Sequence, residues 1–311
     1  MKLAFVFPGQ GSQSVGMLDA WMDQSGVPDM LQEANDALGE DLAKLIANGP
    51  EESLNLTVHT QPAMLLSAVL MYEQWRQAGG MQPEVMAGHS LGEYSALTAA
   101  GSLSLSDALR LVRIRATAMQ EAVPVGQGAM AAIIGLDDDT IAALCAQCSD
   151  GEQVVEPVNY NAPGQVVIAG HREAVEQACT VAKEKGARRA LVLPVSAPFH
   201  SRLLEPAAQT LQTALAEITL RTPQVTVINN VDVRSPSEPE QIKDALVRQA
   251  WHPVRWVETI QAMKAQGVTH VVECGPGRVL SGLVRRIDRS ITTLSFSDPD
   301  SMQAVLKELK A

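Results

Sequence analysis

Alternation between short apolar runs and long helical stretches constrains the fold of this chain more than any other feature. Four runs have the length and residue content of buried β-strands. They are Leu3–Phe7, Val85–Gly88, Val225–Asn229 and Val268–Glu273. Helical patterns fill the segments between them, and this order is typical of an α/β protein with a largely parallel sheet.

The order of predicted strands and helices changes between residues 126 and 195. Here the predicted elements follow the order β-α-β-β-α-β, which is the split βαβ arrangement of ferredoxin-like modules. They are strand Ala129–Gly135, helix Asp138–Cys148, strand Val154–Asn159, strand Gln165–Ala169, helix Glu173–Lys185 and strand Arg189–Val195. We predict an inserted subdomain that forms a wall over the active edge of the core, because clefts between such units often bind ligands.

Charge and composition narrow the classes of function. The chain of 311 residues has 35 acidic and 24 basic side chains, a formal net charge of -11, which argues against binding to phosphate backbones. The segment Met1–Pro8 lacks the long apolar region and cleavage site of a signal peptide. No stretch reaches the roughly 18 apolar residues of a membrane-spanning helix. We expect a soluble, cytoplasmic protein with no nucleic-acid or membrane partner.

Two of the four cysteines, Cys145 and Cys148, have the C-x-x-C spacing of zinc and redox sites. The sequence offers neither a second pair nor a nearby histidine pair, and Thr140–Cys148 has a helical pattern. We therefore expect reduced cysteines and no metal site.

The segment Gly88–Gly92, Gly-His-Ser-Leu-Gly, matches G-x-S-x-G between an apolar run and the helical pattern Glu93–Ala100. A sharp strand-to-helix turn needs small residues beside a nucleophile, and it directs helix N-terminal amides at a developing oxyanion. Ser90 is the candidate nucleophile. The alternative is an ordinary glycine-rich turn in which Ser90 caps the helix, and the motif alone does not decide between them.

A serine hydroxyl needs a base before it attacks, and the chain has six histidines. Four of them are weaker candidates. His89 is adjacent to Ser90 and is expected to point elsewhere, His59 and His252 lie in apparent loops, and His171 begins a helix.

His200 and His270 remain as candidate bases. His200 ends a strand that runs into a proline-broken loop, a position that delivers side chains to clefts. His270 precedes the strand Val271–Glu273, and the serine-acid-histidine order of an α/β-hydrolase would favour it. The pattern favours His200, in a Ser/His pair oriented by a neutral group, but leaves His270 open.

Residues 104–121 open like a capping box and continue with helical periodicity. At about 100° per residue, Arg110 and Arg113 fall on the polar face whereas Arg115 falls on the apolar face. A buried guanidinium needs an anionic partner, which is either a structural carboxylate or a carboxylate of the substrate. Gln249 lies on the apolar stripe of the predicted helix Gln241–Ala250, which places its amide toward the core or a site; the alternative is a surface glutamine.

Two glycine-rich segments invite a nucleotide-binding interpretation. In Pro8–Gly16, Ser14 stands where a dinucleotide fingerprint requires its third glycine. A loop that directs a backbone amide at an oxyanion is an equally good use of these glycines. Gly275–Gly277, before the predicted helix Val279–Arg286, is more typical of a structural turn.

Six segments, in the same order and almost end to end, resemble the malonyl-CoA:acyl carrier protein transacylases of bacterial fatty acid synthesis. They are Phe7–Gln13, Gly88–Glu93, Gly128–Ala132, Asn159–Gln165, Pro198–His200 and Glu273–Gly277. The resemblance implies a hydrolase-like α/β catalytic core, residues 1–125 and 196–311, with a parallel sheet. It also implies a ferredoxin-like (βαββαβ) subdomain inserted at residues 126–195.

The resemblance also implies roles for single residues. Ser90 would be acylated, and His200 would be the base, oriented by backbone carbonyls instead of an acid. The amides of Gln10 and Leu91 would form the oxyanion hole, and Arg115 would hold the malonyl carboxylate.

Two further positions match the family. Gln249 corresponds to its active-site glutamine. Phe199 fits a malonyl preference in related acyltransferases, although its neighbours depart from the longer motif.

The predicted function is ping-pong transfer of a malonyl group from malonyl-CoA to acyl carrier protein in fatty acid biosynthesis, by a monomer that uses no metal and no cofactor beyond the coenzyme A thioester. The alternatives are the malonyl transferase subunit of a malonate decarboxylase, a serine acyl hydrolase, and a non-enzymatic acyl-binding protein. Anionic substrates would need local positive charge for docking. Candidate basic residues are Lys183, Lys185, Arg188, Arg189, Arg278, Arg285, Arg286 and Arg289.

Overall fold

The computed structural model describes residues 1–195 and 197–310. These residues contain nine strands: β1 (Leu3–Phe7), β2 (Val85–Gly88), β3 (Gly128–Ile134), β4 (Val155–Ala162), β5 (Gln165–His171), β6 (Arg189–Val192), β7 (Thr226–Ile228), β8 (His270–Cys274) and β9 (Thr292–Phe296). A five-stranded sheet has the order β7-β2-β1-β8-β9, and a separate four-stranded sheet has the order β4-β5-β3-β6. The first is parallel and the second antiparallel throughout.

Thirteen α-helices lie within the same described residues. They are α1 (Val27–Leu38), α2 (Leu42–Asn48), α3 (Glu51–Leu54), α4 (Thr57–Gln77), α5 (Gly92–Ala99), α6 (Leu105–Glu121), α7 (Asp138–Gln147), α8 (Arg172–Glu184), α9 (Glu205–Ala216), α10 (Pro239–Gln249), α11 (Trp256–Ala265), α12 (Val279–Ile287) and α13 (Pro299–Lys310). The mixed α/β class with a parallel sheet, predicted from the apolar runs, is confirmed.

Most predicted strands of the parallel sheet have nearly the predicted bounds. β1 and β2 agree with them, β7 is shorter, and β8 begins at His270 instead of Val268. β9 was not predicted. It lies at an edge of the sheet, where half-exposed positions accept threonine and serine, so its sequence lacks a continuous apolar run.

The antiparallel sheet and two helices contain the six elements predicted between residues 126 and 195, in the predicted order. β6 ends at Val192 instead of Val195, although Leu193 still donates a backbone hydrogen bond to Met130. The predicted boundary at residue 196 and the terminal residue 311 lie outside the described residues.

Cysteine thiols are buried in both units. Cys145, Cys148 and Cys179 pack in the apolar cluster under the antiparallel sheet, and all four cysteines are free. Burial raises the pKa of Cys145 to about 12. Among the described residues no three potential metal-ligating side chains form a group. No helix of residues 1–195 and 197–310 combines the length and apolarity of a membrane span.

An aromatic cluster fixes β1 against its neighbours. Phe5 packs on Trp75 of α4, with ring centroids 5.2 Å apart, and Trp75 stacks on Phe296 of β9 at 5.5 Å. Burial of each such ring stabilises the fold by roughly 1.5–3 kcal/mol. The cluster therefore holds the central strand, whose carboxyl end leads into the loop that contains Gln10.

Parallel pairing brings four strand ends to one edge of the sheet. β1, β2, β7 and β8 pair in register, so the residues that follow them meet there. Glycine permits close contact at this edge, because a Cβ on Gly88 would lie 1.8 Å from the carbonyl oxygen of Gly92 and one on Gly92 would lie 2.1 Å from that of Phe7.

Gly88→Ala should lower the free energy of unfolding by about 3 kcal/mol, because the new methyl group meets backbone atoms that cannot move aside. Gly282→Ala is the matched control. Gly282 is exposed in α12, and a Cβ added there would project into open space, so alanine should stabilise the helix by about 0.5–1 kcal/mol. Urea unfolding measures both, and equal effects in the two variants would contradict this explanation of Gly88.

Candidate active site

Ser90 occupies the turn between β2 and α5. Its φ of +53° lies in the left-handed region, which is costly for a residue with a Cβ. The backbone amide of His89 donates to the carbonyl of Phe7 at 3.0 Å, and this bond anchors the start of the turn to β1. The turn therefore has the strained geometry expected of a nucleophile at a strand-to-helix junction.

The structure brings Ser90 and His200 together. Ser90 Oγ lies 2.7 Å from His200 Nε2, and His200 Nδ1 lies 2.8 Å from the backbone carbonyl of Gln249. Because a carbonyl only accepts, the ring hydrogen lies on Nδ1 and leaves Nε2 to accept from the serine hydroxyl. The group that orients the imidazole is a backbone carbonyl, and His270 lies at the opposite, amino-terminal end of β8.

His200 is electrically neutral in this environment. Burial, and next the positive charge of Arg115, lower the pKa of His200 to about 3. Only 3% of the residue is exposed, so an imidazolium would lose most of its hydration. A neutral imidazole that accepts from a hydroxyl is a general base ready to take its proton.

Arg115 is buried beside the serine without an anionic partner among the described residues. Its Nη1 donates to Gln61 Oε1 at 2.7 Å, and its Nη2 donates to Gln249 Oε1 at 3.0 Å and to Ser90 Oγ at 3.1 Å. The guanidinium also lies 5.2 Å from the centre of the Tyr94 ring. Its direct hydrogen-bond partners are thus neutral acceptors, in a site where only 1% of the residue is exposed. The buried carboxyl group of Glu93 acts on its charge without forming an ion pair with it among the described residues.

Arg113, one of the two arginines predicted on the polar face of α6, has an ion-pair partner. Arg113 forms an ion pair with Glu40 and donates to the carbonyl of Val58 at 2.8 Å. That carbonyl is available because Pro62, four residues on in α4, has no N–H to donate to it.

Helix α4 also contains His59. The expectation of a loop at His59 was wrong, because α4 begins at Thr57 and continues through Pro62.

A cavity of about 300 Å³ opens onto these groups. Its walls include five of the six site residues predicted from the sequence. The sixth, Gln249, does not line the cavity, but its side chain accepts from Arg115 and its backbone carbonyl accepts from His200. The five are Gln10, Ser90, Leu91, Arg115 and His200. The amides of Gln10 and Leu91 donate to no acceptor within the described part of the chain, so both are available to an oxyanion.

The rest of the cavity wall is mainly apolar. Phe199, Met119 and Met130 line it beside Ser90 and His200. His89 also reaches it, with Nε2 2.7 Å from Asn161 Oδ1 of β4 and its ring centroid 5.4 Å from that of Trp256. His89 therefore links the two sheets and does not contact the serine oxygen.

Sequence reasoning missed three buried polar residues of the site, Gln61, Glu93 and Asn230. Glu93 accepts from the Asn230 amide at 2.9 Å and from Gln249 Nε2 at 3.1 Å, and burial raises its pKa to about 7. A signal existed for each: Gln61 and Glu93 are polar residues within apolar helices, and Asn230 follows the end of a parallel strand.

The chain as a whole is similar to proteins of a known family. The model of a family described as acyl transferase domain matches residues 4–298. The malonyl CoA-acyl carrier protein transacylase of Escherichia coli (strain K12) is 54% identical over 307 residues, which is 98% of this chain and 99% of that protein.

Two solved structures are also similar. The acyl-carrier-protein S-malonyltransferase of Burkholderia pseudomallei 1710b has a TM-score of 0.96 and 60% identity, with 99% of this chain and 100% of that chain covered. A malonyl-transacylase in complex with its type II PKS acyl-carrier protein has a TM-score of 0.96 and 48% identity, with coverage of 99% and 100%.

The state of His200 predicts a pH profile. Labelling of Ser90 by a sulfonyl fluoride should show no titration of His200 between about pH 5 and about pH 8, because an imidazole with a pKa near 3 stays neutral above pH 5. Glu93 titrates within this range, so the profile is best measured in Glu93→Gln. An inflection near the ordinary histidine pKa of 6.5 in that variant would contradict the geometry.

Proposed function

The chain belongs to the acyl transferase domain family, and we propose that it transfers a malonyl group from malonyl-CoA to the phosphopantetheine thiol of an acyl carrier protein through an ester on Ser90. The observation that carries this proposal is the buried Arg115. Its Nη2 lies 3.1 Å from Ser90 Oγ and faces neutral partners. An acyl group that brings its own carboxylate would supply the ion-pair partner that Arg115 lacks among the described residues, in bidentate geometry.

The first half-reaction forms the acyl-enzyme. Ser90 Oγ attacks the thioester carbon while its proton passes to His200 Nε2, 2.7 Å away. The amides of Gln10 and Leu91 stabilise the oxyanion. As the tetrahedral intermediate collapses, the carbon–sulfur bond breaks and the coenzyme A sulfur leaves with the proton from His200.

The second half-reaction uses the same groups in reverse. The carrier thiol gives its proton to His200 and attacks the ester carbon, and Ser90 Oγ leaves with that proton. Gln249 serves both steps, because its carbonyl holds His200 and its side chain holds Arg115. No cofactor beyond the coenzyme A thioester is required in this scheme.

The fold supports a finer description. The strand order β4-β5-β3-β6 corresponds to the second, third, first and fourth strands of a βαββαβ unit, which favours a ferredoxin-like subdomain at residues 126–195. The strand-turn-helix around Ser90 favours a hydrolase-like core at residues 1–125 and 196–311. We propose that the protein acts as a monomer in the cytoplasm, with malonyl-CoA and acyl carrier protein as partners and no nucleic acid or membrane.

Exposed basic residues are candidates for docking an acidic carrier. The eight predicted candidates are exposed, and none forms an ion pair among the described residues. On α12, Arg285 donates to Thr293 and Arg286 donates to Gln165 of the antiparallel sheet, so their charge is not neutralised. Unpaired positive charge of this kind accelerates and orients association with an acidic protein.

Removal of the Arg115 guanidinium tests the proposed substrate. Arg115→Ala should slow malonyl transfer by about 1,000-fold while acetyl transfer falls far less, because acetyl has no carboxylate to pair with the lost charge. The control is Arg110→Ala, an exposed arginine on the same helix. Steady-state rates with the two acyl donors measure the selectivity, and equal losses would show that Arg115 does not hold the carboxylate.

Charge reversal on α12 tests the docking surface. The double variant Arg285→Glu, Arg286→Glu should raise the KM for the carrier by about tenfold at low salt, and the effect should shrink as salt is added. Lys307→Glu, Lys310→Glu makes the same change in net charge on α13 and should leave that KM unaltered. An unchanged KM in the α12 variant would exclude this surface.

A further inference from the structure

The peptide groups on both sides of Ser90 are held by buried side chains. The Ser90 amide donates to Asn230 Oδ1 at 2.8 Å, and the Ser90 carbonyl accepts from Gln249 Nε2 at 2.9 Å. Left-handed backbone is unfavourable for serine, so the turn needs such contacts to persist. The contacts come from the loop after β7 and from the end of α10, far from the turn in sequence.

Asn230 is the centre of this support. Its Oδ1 also accepts from Gln249 Nε2 at 3.2 Å, and its Nδ2 donates to the Gly88 carbonyl at 2.7 Å. Its side chain thus bonds to the backbone both before and at the serine. The residue is fully buried, at 0% exposure, so water could not replace these bonds if the side chain were removed.

Glu93 fixes Asn230 and Gln249 relative to each other. Its Oε2 accepts from the Asn230 backbone amide at 2.9 Å and from Gln249 Nε2 at 3.1 Å. Glu93 itself lies in the first turn of α5, directly after the nucleophile turn. A carboxylate at 2% exposure is costly to bury. The hydrogen bonds from these two donors offset part of that cost.

Backbone strain is concentrated around the same residues. Within the described residues, three non-glycine positions have φ in the left-handed region: Ser90 at +53°, His200 at +64° and Val233 at +56°. Val233 belongs to the loop that presents Asn230, and a β-branched residue rarely adopts this conformation. The loop is closed by the Asn229 amide, which donates to the Arg234 carbonyl at 2.8 Å.

We propose that Asn230 and Glu93 are positioning residues that hold the Ser90 backbone in its reactive conformation. The Ser90 amide already donates to Asn230 Oδ1. The next amide, that of Leu91, is therefore the one that can donate to the oxyanion. Loss of this support lets the turn relax and moves both the serine oxygen and the Leu91 amide. Malonyl binding changes far less than acylation, because its proposed partner Arg115 donates to Gln61 and Gln249 and to neither Asn230 nor Glu93. The inference rests on the proposed function for its substrate only.

The test measures the first half-reaction in rapid-quench experiments with malonyl-CoA. Asn230→Ala should acylate about 100-fold more slowly, since misplacement of reacting groups by about 1 Å has effects of this size. The half-saturating malonyl-CoA concentration should stay within a factor of about three. Glu93→Gln keeps the shape of the side chain and weakens two hydrogen bonds, so about tenfold slower acylation is expected.

Ser95→Ala is the matched control. Ser95 is a buried polar residue on α5, and its hydroxyl has no hydrogen-bond partner among the described residues. It should acylate at the wild-type rate. The proposal is overturned if Asn230→Ala and Glu93→Gln acylate like the wild type, or if rate and malonyl-CoA affinity fall together. If Asn230→Ala does not fold, as judged by thermal unfolding, Glu93→Gln decides alone.

A second probe separates this inference from the proposed function. Phenylmethylsulfonyl fluoride reports the reactivity of Ser90 without a malonyl group, and labelling of both positioning variants should be slowed as acylation is. If wild-type protein forms no ester with malonyl-CoA, the proposed function fails, yet slowed labelling of the variants still supports the positioning role. Wild-type labelling rates in both variants would overturn it.

Discussion

The buried charge of Arg115 is the constraint on which the rest of the site depends. A guanidinium removed from water needs a partner, and the described residues offer it two amide oxygens, a hydroxyl and an aromatic ring instead of a carboxylate. The same charge contributes to the low pKa of His200. One buried cation thereby favours an anionic acyl group and a neutral base at once.

The fold places that charge beside the proposed nucleophile, Ser90, through a short chain of contacts. Parallel pairing aligns the ends of β1, β2 and β7, so the loops that contain Gln10, Ser90 and Asn230 meet at one edge. Helices α4, α6 and α10 then bring amide and guanidinium groups to the same point. The antiparallel sheet completes the cavity through β4, where Asn161 contacts His89.

Local features of the site could be predicted from the sequence, whereas long-range ones could not. The turn around Ser90 and the inward face of Arg115 follow from spacing and helical periodicity within a few residues. The partnership of Ser90 with His200 joins positions 110 residues apart, so the residue pattern left His270 open and only the family resemblance chose between them. Asn230 is 140 residues from Ser90, and no periodicity indicates which backbone groups an asparagine after a strand will bind.

The central claim is that Ser90 holds a malonyl ester and passes it to a thiol. Intact-protein mass spectrometry after mixing with malonyl-CoA, before and after addition of holo acyl carrier protein, tests it most directly. We expect one added malonyl group, located on Ser90 by peptide mapping, that is stable in buffer and is lost to the carrier. Absence of the ester, or its loss to water at the same rate without the carrier, would contradict the claim.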